Sequence, residues 1–231
     1  MHMNPQRRAL IAAIGIAPCL AVAQRIDEVD TSAANLMVVL RESINANFKP
    51  DTLLQYIGRV RFKSNDGKEV EVELAHYAYL ADTHIRFVFD GPTMMKNATA
   101  ADLVRLGLTP QQALVLAIEN VRRVYGEAKP TRLRGNLMEL ESKSPDLTST
   151  YFLDLSFWSA LEGKHPEGIV AVVPKRGGLL FTPASDTQAV ESLRTGVGRL
   201  FISSERLRVS SAVYLFKGGT WATLQDPRPK E

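Results

Sequence analysis

The sequence predicts an α+β fold, in which antiparallel hairpins pack with three or four helices. Two segments in which apolar and charged residues alternate, "RVRFK" and "EVEVEL", predict a hairpin in the first half. The segment "TPQQALVLAIENVRRVYGE" has the apolar spacing and the end signals of an amphipathic helix. In the second half, two strand pairs flank one helix, which predicts a ββαββ order for the C-terminal half.

The first half begins with a predicted helix over about residues 32–47. Apolar residues recur there at the spacing of one helix face. They are Leu36, Val39, Leu40 and Ile44. The hairpin follows, and the segment "HIRFVFDGP" then predicts a buried strand that ends in a turn at Asp90-Gly91-Pro92.

The predicted hairpin carries basic residues on one strand and acidic residues on the other. A three-residue loop at Asn65-Asp66-Gly67 places each basic residue opposite an acidic one on the same face. The pairs are Lys63 with Glu69, Arg61 with Glu71, and Arg59 with Glu73. Since opposite charges at paired positions attract, we interpret this as a neutralised surface and expect no nucleic-acid contact.

The helix between Thr109 and Gly126 has clear start and stop signals. Thr109 and Gln112 form the pattern of a capping box, and Pro110 suits the first helical position. Gly126 is a typical residue after a helix end. The stretch that follows is rich in charge, Gly and Pro, and it predicts a subdivision of the domain near residues 127–136.

The sequence of the second half predicts strands on either side of a single long helix. "TYFLDL" predicts a strand that leads into a short helix around Phe157 and Trp158. "GIVAVVP" with "LLFTP", and "SSAVYLF" with "TWATL", predict two hairpins. The connecting helix is predicted to be capped by Ser185 and Gln188. Its predicted apolar face consists of Val190, Leu193, Val197 and Leu200.

Both C-terminal hairpins turn at a basic residue near two glycines, in "KRGG" over residues 175–178 and "KGG" over residues 217–219. Successive backbone N–H groups in such turns can bind an anion. Tight hairpin turns require Gly-Gly for conformational reasons alone, and we favour that simpler explanation.

The N-terminal segment "RRALIAAIGIAPCLAVA" has the three parts of a secretory signal peptide. Arg7 and Arg8 form the charged head, an apolar run follows, and Ala21-Val22-Ala23 forms a small-residue cleavage site before Gln24. We therefore expect residues 1–23 to be removed. Residues 24–231 are then expected to form a single α+β domain in the periplasm.

Two other interpretations of this segment fit less well. The apolar run is shorter than a membrane span, and Pro18 interrupts it. A lipid anchor is attached to a cysteine that follows a small residue, whereas Cys19 follows Pro18. We therefore expect no stable membrane anchor after cleavage.

Cleavage changes what the composition implies. The full chain of 231 residues has a formal net charge of +3. Residues 1–23 contain two arginines and no acidic residue, so 26 basic and 25 acidic residues remain. The basic balance is therefore poor evidence for nucleic-acid binding. Cleavage also removes Cys19, the only cysteine, which excludes disulfides and cysteine-based chemistry from the mature chain.

Three stretches, "LGLTPQQALVLAIENVRR", "IVAVVPKRGGLLFTP" and "SSAVYLFKGGTWATL", occur in this order. Together they resemble the bacterial family known as domain of unknown function 1444. The resemblance covers about residues 40–225. It implies an α+β fold and no established activity, and it assigns no catalytic residue.

The sequence contains none of the common motifs for nucleophilic catalysis, zinc hydrolysis or nucleotide binding. The candidate metal ligands are His76, His84, Asp82 and Asp90, since imidazole and carboxylate groups can bind Zn²⁺. The spacing of the histidines matches no established zinc pattern, and histidines at a surface or a strand end are the simpler explanation. No cofactor is expected.

Three further acidic residues have simple explanations. Glu139 and Glu141 share a strand face and could form a glycosidase pair, but a solvated face explains them better. Asp154 lies between two leucines of the strand predicted in "TYFLDL", and alternation places it in water.

Two classes of function therefore stay open. The first is a non-catalytic protein that binds an envelope protein or another ligand in the periplasm. The second is a periplasmic hydrolase with an unrecognised site near His76 and His84. Convergence of those histidines with Asp82 and Asp90 in one cleft would favour the hydrolase.

Cleavage is expected between Ala23 and Gln24, because small residues occupy the positions that signal peptidase reads. Mass spectrometry of the exported protein should find a chain that starts at Gln24. An exported protein that retains Met1 would contradict both the cleavage and the expected compartment.

Overall fold

The computed structural model describes residues 28–44, 46–63 and 66–229. The predicted signal peptide and its cleavage site at Ala23 and Gln24 lie outside these residues, as does part of the Asn65-Asp66-Gly67 turn. Among the described helices, none combines the length and apolar character that crossing a membrane requires.

The α+β fold is confirmed. Its strands are β1 (Leu36–Glu42), β2 (Arg59–Lys63), β3 (Glu69–Glu73), β4 (His76–Ala78), β5 (Thr83–Phe89), β6 (Lys96–Asn97), β7 (Lys129–Arg134), β8 (Leu137–Glu141), β9 (Ile169–Lys175), β10 (Gly178–Pro183), β11 (Val213–Lys217) and β12 (Thr220–Gln225). Its α-helices in the described part are α1 (Ala100–Arg105), α2 (Pro110–Tyr125), α3 (Leu155–Glu162) and α4 (Thr187–Ser203).

The strands form two larger antiparallel sheets and one separate hairpin. In the first sheet the order is β1-β5-β4, and β6 also pairs with β5. In the second sheet the order is β12-β11-β9-β10-β8-β7. Strands β2 and β3 pair only with each other in the described part of the chain. The predicted ββαββ order of the C-terminal half is present as β9-β10-α4-β11-β12.

Several local predictions are confirmed. The hairpin β2–β3 has the predicted register, in which Arg61 pairs with Glu71, and Gly67 has a φ of 79°. The capping box of α2 forms between Thr109 and Gln112. Gly126 follows that helix with a φ of 84°, a conformation that glycine adopts without steric cost.

The predicted helix over residues 32–47 is wrong. A short 3₁₀ turn at Ala33–Asn35 leads instead into β1. The first five residues of β1 are all buried, because the strand is covered on both faces. Apolar residues at every position also satisfy the spacing of a helix, so periodicity could not distinguish the two.

The predicted strand "TYFLDL" and the solvent-exposed Asp154 are also wrong. A 3₁₀ helix, here named the central 3₁₀ segment, spans Pro145–Leu153, and its residues from Leu147 onward are buried. Asp154 is only 2% exposed and caps α3, because its carboxylate accepts a hydrogen bond from the Phe157 backbone N–H. Arg122 Nη1 lies 3.4 Å from the same carboxylate.

Helix α4 begins one residue later than predicted. Asp186, and not Ser185, is its N-cap, and the Asp186 carboxylate accepts a hydrogen bond from the Ala189 N–H at 2.9 Å. Of the predicted apolar face, Leu193 and Val197 are buried against the second sheet, whereas Leu200 is exposed.

The main core lies between the two sheets and contains residues from both halves of the chain. Its centre is an aromatic cluster in which the rings of Phe152 and Trp221 stack with centroids 4.3 Å apart. Trp158 meets Trp221 edge-on. Strand β9 has a second apolar face, on which α4 packs, so the strand is buried on both sides.

We expect Asp154→Ala to lower the free energy of unfolding by about 1–3 kcal/mol, because it removes the α3 cap and the acidic partner of Arg122. Urea denaturation measures this loss. Asp51→Ala is the matched control, since Asp51 is exposed at the start of a 3₁₀ turn, and its effect should stay within about 0.5 kcal/mol. Equal losses in the two variants would contradict the role of Asp154.

Candidate anion-binding site

One face of the first sheet carries a group of basic residues, here named the cationic cluster. Its members are Arg41, His76, His84, Arg86 and Arg176. The register places Arg41 opposite His84, and Arg86 opposite His76. Because side chains alternate along a strand, these four residues lie on the same face of the sheet. Arg176 joins them from the turn between β9 and β10 in the second sheet.

The two histidines are in contact and are almost completely buried. Their ring centroids are 5.7 Å apart, and His76 and His84 are 7% and 6% exposed. Arg86 Nε donates a hydrogen bond to His84 Nε2 at 2.8 Å. An arginine cannot accept, so His84 Nε2 is the unprotonated nitrogen and Nδ1 carries the proton. Nδ1 lies 2.9 Å from Ser43 Oγ.

The electrostatics of the cluster follow from burial and from the nearness of like charges. Burial, with a smaller contribution from Arg86, lowers the pKa of His76 to about 4. Burial, followed by Arg86, is also the main cause that lowers the pKa of His84 to about 3. Both imidazoles are therefore neutral at pH 7.

The arginines also disfavour one another's charge. Burial, then Arg176 and Arg86, lowers the pKa of Arg41 to about 9, while Asp146 acts in the opposite direction. Burial and Arg176 lower the pKa of Arg86. The cluster thus holds three guanidinium groups close together. Asp146, the carboxylate that raises the pKa of Arg41, is exposed to solvent.

Arg176 is held in place through its backbone. Its N–H donates to the Leu207 carbonyl at 2.9 Å, and its carbonyl accepts from the Ser149 N–H at 2.8 Å. Within the described residues, Arg176 Nε and His76 Nε2 are buried atoms with no hydrogen-bond partner. A buried donor without an acceptor costs about 1–3 kcal/mol, and an anion oxygen would supply the acceptor.

The cluster suits binding better than nucleophilic catalysis. In a serine–histidine–acid triad the imidazole accepts a hydrogen bond from the serine and donates its one N–H to a carboxylate, which makes the ring a stronger base. Here Arg86 donates to His84, and the pKa of His84 falls. This polarity is the reverse of a triad, so His84 is a poor base for Ser43.

The four candidate metal ligands do not form one group. His76 and His84 meet, but Asp82 is fully buried and accepts from Ser210 Oγ at 2.5 Å. Asp90 follows the far end of β5 and accepts a hydrogen bond from the Tyr125 hydroxyl. In residues 28–44, 46–63 and 66–229, no three metal-ligating side chains come together.

The other candidates also have local explanations. Glu139 and Glu141 lie on β8, where Glu139 is half-buried between paired strands and Glu141 is exposed. In the 217–219 turn, the N–H groups of Gly218 and Gly219 bind the two carboxylate oxygens of Glu162 at 2.5 and 3.1 Å. That turn does form an anion nest, and a carboxylate of the chain itself occupies it.

Sequence reasoning missed the cationic cluster as a unit. The sequence pattern places Arg176 only in a Gly-Gly turn, and it places Arg41 in the predicted helix over residues 32–47. The one sequence feature that points to the cluster is a basic residue within each of two apolar segments, Arg41 in β1 and Arg86 in β5. That signal has no meaning until the segments are known to be paired strands with a defined register.

The chain matches no protein-family profile, no functionally curated protein and no solved structure. The resemblance to domain of unknown function 1444 therefore stays a prediction, and the site must be interpreted from its own chemistry.

The buried histidines predict acid sensitivity. The pKa of His76 is about 4 in the folded protein and about 6.5 in the unfolded chain, so the unfolded chain binds protons first as the pH falls. Stability should therefore decrease on acidification from pH 6.5 towards pH 4. Between pH 7 and pH 5 we expect a loss of about 1–2 kcal/mol for each histidine in urea denaturation.

The variant His76→Gln/His84→Gln should lose much less stability over the same pH interval. His165→Gln, which replaces a histidine of the loop after α3, is the matched control and should keep the acid sensitivity of the wild type. A double variant with the full wild-type loss would show that these histidines are not its source.

Proposed function

We propose that the mature chain is an exported, non-catalytic binding protein that takes an anionic ligand at the cationic cluster. The observation that carries the proposal is the convergence of Arg41, Arg86 and Arg176 next to two neutral histidines. The ligand is an envelope component or the anionic part of a partner protein. Export to the periplasm is the part of the proposal that rests on the signal sequence.

The energetics of the cluster support a binding role. Like charges in a partly buried site repel more strongly than in water, and burial removes their hydration. Neither effect helps the protein to fold. A bound anion would offset both costs, so the cluster is better explained by ligand binding than by stability.

The donor chemistry supports an anion as the ligand. Guanidinium groups present several N–H donors in a rigid plane and match the oxygens of carboxylates and phosphates. Arg176 Nε adds a buried donor whose acceptor is not supplied by the described residues. His84 orients the Arg86 guanidinium by accepting a hydrogen bond from its Nε at 2.8 Å.

The hydrolase alternative has less support. A hydrolase needs an activated nucleophile, a metal or a positioned carboxylate pair. Ser43 is next to the His84 imidazole, whose pKa is lowered by burial and by Arg86, and Asp82 and Asp90 bind other partners. These contacts argue for binding at His76 and His84 rather than for hydrolysis.

Thermal unfolding of the mature chain in inorganic phosphate, citrate or acetate, at matched ionic strength, tests the proposal. A ligand at about 100 times its Kd stabilises the folded state by about 2.7 kcal/mol, which raises Tm by several degrees. We expect at least one of these anions to give such a saturable rise.

Arg41→Gln and Arg86→Gln should remove the rise. Arg61→Gln is the matched control, because it removes the same charge from the exposed face of the β2–β3 hairpin, and it should keep the rise. No saturable rise with any anion, or an equal rise in all variants, would overturn the proposal.

A further inference from the structure

We infer that the ligand group is a compact tetrahedral dianion, a phosphate, held between the two sheets by Arg41 and Arg86 on one side and Arg176 on the other. This inference rests on the proposed anion-binding function. The bound phosphate group is either inorganic phosphate or the terminal phosphate of a larger molecule, since both present the same dianion to the site.

The charge of the cluster matches a dianion. The three guanidiniums contribute three positive charges, and Asp146 is the carboxylate that acts on Arg41. The two imidazoles are neutral at pH 7 and contribute none. A net charge of about +2 is therefore neutralised by two negative charges, and a monoanion would leave like charges in repulsion.

The arrangement of the cluster favours a compact anion. Arg41 and Arg86 are diagonal neighbours on adjacent antiparallel strands, where such positions are about 7–8 Å apart. Their side chains leave the sheet on one face, and Arg41 Nη1 donates a hydrogen bond to the Leu40 carbonyl at 2.8 Å. Arg176 is near enough to lower the pKa of both arginines. Three positive charges that are close enough to influence one another suit a single compact group, whereas an extended dicarboxylate carries its two charges farther apart.

The two sides of the site come from different sheets. Arg41 and Arg86 belong to β1 and β5, while Arg176 belongs to the β9–β10 turn. Arg176 also contributes the buried Nε donor that has no partner among the described residues. A phosphate bound there would connect the two sheets. Removing an arginine of either sheet should therefore weaken phosphate binding to a similar extent.

The charge requirement separates this site from a nucleic-acid contact. A phosphate diester, as in nucleic-acid backbones, carries one negative charge, whereas phosphate and its monoesters carry close to two above pH 7. The same requirement predicts that affinity depends on pH. Affinity should decrease as the pH falls towards about 6, because the ligand gains a proton and becomes a monoanion.

Isothermal titration calorimetry at about pH 8 tests the inference with four probes. Inorganic phosphate and glycerol 3-phosphate are the two dianionic sources, dimethyl phosphate is a tetrahedral monoanion, and succinate is an extended dianion. We expect at least one of the first two to bind at least about tenfold more tightly than dimethyl phosphate and succinate. Which of the two binds better identifies the source.

Arg176→Gln should weaken phosphate binding at least about tenfold, as should Arg41→Gln. Lys175→Gln is the matched control, because it removes a charge from an exposed side chain of the same turn, and it should change affinity less than twofold. If Arg176→Gln does not fold, Arg176→Lys should fold and still bind less tightly, since the lysine ammonium lacks the planar guanidinium and its Nε–H donor.

Succinate or dimethyl phosphate binding as tightly as phosphate would overturn the dianion inference while leaving an anion-binding protein. Full phosphate affinity in Arg176→Gln would overturn the bridging of the two sheets. No binding by any probe, together with no thermal stabilisation by citrate or acetate, would overturn the proposed function itself.

Discussion

The structure depends on the way two tryptophans hold the central 3₁₀ segment. Trp158 Nε1 donates to the Tyr151 carbonyl, and Trp221 Nε1 donates to the Phe152 carbonyl, both at 2.9 Å. The segment is buried from Leu147 onward, where a backbone carbonyl without a donor would be costly. The indoles therefore supply hydrogen bonds and apolar packing at the same place, and they fix the segment between the two sheets.

The central 3₁₀ segment also determines where the cationic cluster forms. Thr150 Oγ1 donates to the Val38 carbonyl on β1, which is an edge strand of the first sheet. The neighbouring Ser149 N–H donates to the Arg176 carbonyl in the turn of the second sheet. One short segment thus brings the strand that carries Arg41 and the turn that carries Arg176 to the same point. The core packing and the candidate site are two consequences of the same contacts.

The cationic cluster illustrates how a group of buried polar side chains can reduce stability. Its guanidiniums are partly buried beside one another, and its imidazoles are kept neutral by burial. Each of these arrangements favours the unfolded chain, where the groups are hydrated and can bind protons. The apolar burial in the aromatic core around Trp158 and Trp221 offsets this loss of stability. An anion bound at the proposed site would further stabilise the folded chain.

The sequence by itself determined the elements whose signals are local: the charge-paired β2–β3 hairpin, α2 with its capping box, and the ββαββ order. Only the tertiary structure decided that residues 36–42 form a strand, because burial on both faces removes the periodicity that distinguishes strand from helix. It also buried Asp154 as a helix cap. The cationic cluster could not be predicted, because Arg41, Arg86 and Arg176 are distant in sequence and meet only through strand register and the central 3₁₀ segment.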